Sequence, residues 1–86
     1  MKYVLLYESA DDVMAKAPLH YDAHVAWAGE FEARGELLGI GTFEDPQTQG
    51  SMAMFRTREA AEAFVAGDPF IANGVVKNHD IRGWNG

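Results

Sequence analysis

The period at which apolar residues recur changes several times along this chain, and the order of the changes leaves few folds open. Tyr3, Leu5 and Tyr7 alternate with Val4 and Leu6 in a β-rich run at 3–7, which reads as a strand. The polar stretch at 8–17 reads as a loop. Pro18 suits a first helical turn, where its missing N–H costs little. From there to residue 34, His20, His24, Trp27, Ala28 and Phe31 fall at helical spacing on one face. Gly35 is suited to a left-handed helix end.

Residues 36–43 return to strand character, with Leu37 and Phe43 on one face and Leu38 and Ile40 on the other. Glycines inside that strand mark a bulge or a close approach to the backbone. Asp45-Pro46 and Gly50 turn the chain into a third strand at 51–56. Thr57 is placed to cap a second helix, with Glu59 in its first turn against the helix dipole. Ala60, Ala61, Phe64 and Val65 form the apolar stripe of that helix, and Gly67 ends it. After a corner at Asp68-Pro69-Phe70, residues 75–82 form the last strand.

The order β-α-β-β-α-β is that of a ferredoxin-like α+β sandwich, a four-stranded antiparallel sheet with two helices on one face. All 86 residues make one domain, with no room for a second core. The first two strands are apolar on both faces, yet the helices shield only one. Strands of that kind need cover on both sides. A homodimer packing sheet on sheet is the expected answer.

Charge removes several classes of function. The net charge is −6 and the seven basic residues are scattered, so nucleic acid and anionic membrane are not expected partners. No apolar run approaches a membrane span and no signal-peptide pattern opens the chain, so the expected location is the cytoplasm. The absence of cysteine excludes disulfides and thiolate chemistry.

Two segments carry chemistry. His24 lies between His20 and Trp27 on the helical wheel and is directed toward the sheet. An imidazole there is either a half-buried core residue or a general acid/base titrating near neutral pH. Asp68 is either an ordinary turn residue before proline or the carboxylate that orients His24. Spacing alone leaves open whether the two meet. Tyr7 and Ser9, at the exit of the first strand, with Trp27 and Phe70 beside the candidate pair, are the positions for substrate contacts. His20 and His24 stand at i, i+4, but Tyr21 follows where a zinc protease would carry glutamate, and no third ligand is in reach. Neither a metal nor a cofactor is expected.

The chain resembles the YCII-related (YciI-like) family. The likeness is carried by His24, by Ala33-Arg34-Gly35-Glu36-Leu37-Leu38 running to Gly41, and by the alanine-rich stretch 59–64. It continues through Asp68-Pro69-Phe70, Gly74 and Ile81-Arg82-Gly83-Trp84. The resemblance implies a dimeric α+β barrel whose active site pairs His24 with Asp68. It implies small-molecule lyase or dehalogenase chemistry. The leading expectation for this chain is a cofactor-independent enzyme of isomerase or lyase type with His24 as acid/base and Asp68 as its orienting carboxylate. The alternative is a non-catalytic ligand-binding or regulatory homodimer. Many family members carry Arg-Pro before the histidine, whereas this chain has Tyr21-Asp22-Ala23, so an anionic substrate group would need another partner here. A phosphate loop with arginine at the first strand, as in acylphosphatases, and the aromatic and basic platform of RNA-binding modules are both missing.

Overall fold

Strand β1 (Lys2–Ser9) grows from the tyrosine- and leucine-rich N-terminal run and takes the centre of the sheet with strand β3 (Ser51–Phe55). Between them in sequence come helix α1 (Val13–Ala33), strand β2 (Leu37–Thr42) and the short helix α2 (Pro46–Gln49). Helix α3 (Arg58–Gly67), the single turn α4 (Pro69–Ala72) and strand β4 (Val76–Trp84) complete the chain. This computed structural model describes residues 1–86. The strand order is β2-β3-β1-β4 with every pair antiparallel, the ferredoxin-like α+β arrangement.

Local chemistry explains most element ends. The Thr57 hydroxyl accepts from the Ala60 amide and starts α3. Gly35, at φ 75°, lets the Glu36 amide fold back onto the Phe31 carbonyl at 2.9 Å and closes α1. The beginning of α1 differs from the sequence expectation. The helix starts at Val13, so the segment expected as loop contributes its first turn, and Pro18 lies inside it. Val13 is buried and Asp12 pairs with Lys16 at 3.4 Å. The burial of Val13 favours the earlier start, against the roughly 3 kcal/mol by which proline disfavours a helix interior. The helix is not apolar enough to cross a membrane, and neither is any other.

The core lies between the sheet and the two long helices. Phe31 of α1, Phe55 of β3 and Phe64 of α3 are essentially inaccessible and meet as a triangle, with centroid distances of 5.2–6.2 Å. These spacings are those of tilted and edge-to-face aromatic pairs.

Strand β2 departs from the expected facing pattern. Leu37 pairs with Phe55, but Gly39 pairs with Met54 and Ile40 with Ala53, so the register shifts around Leu38. A one-residue slip moves every later side chain to the other face. Ile40 therefore shares the helix side with Leu37, instead of lying opposite it. The remaining face carries Val4, Leu6, Met52, Met54 and Trp84, which line a shallow, mostly apolar depression together with Arg82 and Gly83.

Candidate active site

Asp68 stands where α3 ends and α4 begins, and its side chain is fully buried. Asp-Pro is a helix start: Pro69 takes the first position without needing an amide partner, and the Asp68 carboxylate accepts from the next free amide. That amide belongs to Phe70, 3.0 Å from Asp68 Oδ1. The same oxygen lies 2.8 Å from His24 Nδ1, and the Tyr7 hydroxyl donates to Oδ2 at 2.5 Å. One carboxylate thus joins β1, α1 and the α3–α4 junction.

The hydrogen bonds set the state of the imidazole. An ionised carboxylate only accepts, so Nδ1 carries the proton, and neutral His24 offers its lone pair at Nε2. Nε2 has no protein partner. No unpaired polar side-chain atom is fully buried anywhere in the chain, so Nε2 is not sealed in the core. The ring is held flat against Phe70, with centroids 3.8 Å apart and planes 1° from parallel, while the edge of Phe64 closes another side. Burial first, then the hydrogen bond to Asp68 and its charge, push the Tyr7 phenol well above its usual range. Tyr7 stays a neutral donor.

Beside the imidazole is a cavity of about 330 Å³ on the helix side of the sheet, between α1 and β2. Tyr7, His24 and Phe70 form part of its wall. The other two candidates for substrate contact sit elsewhere. The Ser9 hydroxyl donates to the Pro46 carbonyl at 2.7 Å and holds α2 against β1. The Trp27 indole donates to the Phe64 carbonyl at 2.9 Å and lies against Gly67. At about 100° per residue, Trp27 is turned from His24 toward α3, whereas Tyr21, Ala28 and Glu32 turn the opposite way. His24 occupies the boundary between the core stripe and the cavity stripe. No group of three or more His, Cys, Asp or Glu side chains is arranged to hold a metal ion.

Sequence reasoning did not anticipate Tyr21, Glu32, Ile40 and Thr42 in the cavity wall. The first two were legible as neighbours of His24 on the helical wheel, one and two turns away. Ile40 was not, because its facing depends on the bulge.

A family model described as the YCII-related domain matches residues 1–85. No curated protein matches the chain in sequence. Among solved structures, the chain is similar to 5-chloro-2-hydroxyhydroquinone dehydrochlorinase (TftG) from Burkholderia phenoliruptrix AC1100, in complex with 2,5-dihydroxybenzoquinone. The two share 20% identity and a TM-score of 0.74, over 99% of this chain and 94% of the other.

Proposed function

This chain belongs to the YCII-related domain family, and on that premise we propose that it is a small-molecule enzyme of lyase or isomerase type. His24 is the general acid/base and Asp68 its orienting carboxylate. The observation that carries this reading is the Tyr7–Asp68–His24 chain of hydrogen bonds, whose last member, His24, lines a cavity. The dehydrochlorinase named above supports the choice of class, since loss of HCl from a carbon framework is an elimination.

In such a step Nε2 removes a proton from carbon, and the electron pair of that C–H bond forms the new double bond. A leaving group on the neighbouring carbon then departs with its own pair. In an isomerisation the imidazolium instead returns the proton to a different carbon. Asp68 stabilises the imidazolium through Nδ1–H, and the face of Phe70 adds a cation–π attraction. A positioned base of this kind contributes about 10²–10⁴-fold to the rate. Tyr7 occupies the second Asp68 oxygen and keeps the carboxylate pointed at the ring. The working assembly is a homodimer through the apolar sheet face, and the protein acts in the cytoplasm.

Chlorinated and hydroxylated monocyclic compounds are the first substrates to screen. His24→Ala is expected to lower turnover by at least about 10²-fold while the circular dichroism spectrum stays unchanged. Asp68→Asn should lose a similar factor. If His24→Ala alters affinity for a bound compound and no compound is turned over by the parent chain, the protein is a ligand-binding dimer instead.

A further inference from the structure

Charge narrows what the cavity can hold. Helix α1 and strand β2 are joined by the tight turn at 34–36 and run antiparallel, so the space between them has two ends. Tyr7 pairs with Ser51 and Ser51 with Thr42, which gathers these hydroxyl groups at the His24 end. Glu32 and Leu37 mark the other end. Glu32 follows His24 by eight residues, about 12 Å of helix rise. The wall between the two ends is formed by apolar groups such as Leu5, Ala28 and Ile40.

No lysine or arginine lines this cavity. The Glu32 carboxylate is exposed and takes part in none of the chain's ion pairs. The second carboxylate, Asp68, stands directly behind the imidazole. An anion entering here gives up water without gaining a cationic partner, and it meets two like charges. A hydrogen-bond donor or a cation gains an unused acceptor. Size adds a further limit: a cavity of about 150 Å³ takes up benzene, so this one has room for a single substituted ring.

Resting on the acid/base reading above, we propose that the cavity takes a non-anionic, single-ring molecule. It carries a hydrogen-bond donor at the end remote from the reacting carbon, and Glu32 is the specificity-determining residue that accepts from that donor.

Three probes that differ at one group test this assignment: 4-hydroxybenzyl alcohol, 4-hydroxybenzylamine and 4-hydroxybenzoate. Each is titrated into the full chain while the backbone amides of Gly29 and Gly41, both in the cavity wall, are followed by NMR. The alcohol and the amine are expected to bind, and the benzoate at least about tenfold more weakly. Glu32→Gln should narrow the gap between amine and benzoate, and Glu32→Lys should reverse it. The residue is exposed, so both variants should fold. Benzoate binding as tightly as the alcohol, a ranking that ignores both substitutions, or no probe moving these amides would each overturn the assignment. The two readings fail separately. A ranking that follows Glu32 while no compound is turned over sinks the acid/base chemistry alone. His24-dependent turnover of an anionic substrate sinks the Glu32 assignment alone.

Discussion

A single carboxylate ties three parts of the chain together. Asp68 accepts from the Phe70 amide, the His24 ring and the Tyr7 hydroxyl, and its side chain reaches no solvent. A buried carboxylate is tolerable only when its lone pairs are occupied by donors. Removing one donor is therefore costly. Tyr7→Phe should destabilise the fold by about 1–3 kcal/mol in urea denaturation at neutral pH. Tyr7 also imposes a pH dependence. Its folded-state pKa is raised, so its contribution is fully present below the unfolded value near 10 and is lost as pH rises beyond it. The parent chain should lose stability above that pH more steeply than Tyr7→Phe. Phenolate absorbance should show Tyr7 titrating only as the chain unfolds. A Tyr7 phenolate formed while the chain is still folded would mean that the phenol is not sealed against Asp68.

At the scale of elements, a glycine at the end of α3 gives room to an indole of α1. A Cβ at Gly67 would lie 2.4 Å from the Trp27 indole, so Gly67→Ala forces the ring aside and breaks its hydrogen bond to the Phe64 carbonyl. Overpacking of this kind costs about 1–3 kcal/mol, more than the helix propensity alanine gains at a terminal position. The loss in thermal denaturation should largely vanish when Trp27→Leu is already present. An undiminished loss in that background would place the strain elsewhere. The elements themselves were legible where local chemistry sets them. Thr57 starts a helix and Gly35 ends one by hydrogen bonds within a few residues, whereas Asp68-Pro69, expected as a corner, starts the single turn α4. The start of α1 was not legible, since Pro18 argues locally for a later beginning. The burial of Val13 that overrides it belongs to the packed molecule.

On the scale of the whole molecule, the sheet has one face under the helices and one face of Val4, Leu6, Met52, Met54 and Trp84. With the proposed homodimer covering that second face, Met54→Glu should convert a dimer to a folded monomer in sedimentation equilibrium. Met54 is only partly buried in the single chain, so the fold should survive the change. A parent chain that sediments as a monomer, or a variant that stays dimeric, would rule out this interface. By itself the sequence determined the number, type and order of the main elements, because period, capping and glycine chemistry act over a few residues. It also singled out His24 and Asp68 as the candidate pair. Only the tertiary structure decided that they meet, that Tyr7 reaches Asp68 from 61 positions away, and that Ile40 turns into the cavity. Those outcomes depend on how helices seat on a sheet and where a strand slips by one residue, which no local spacing records.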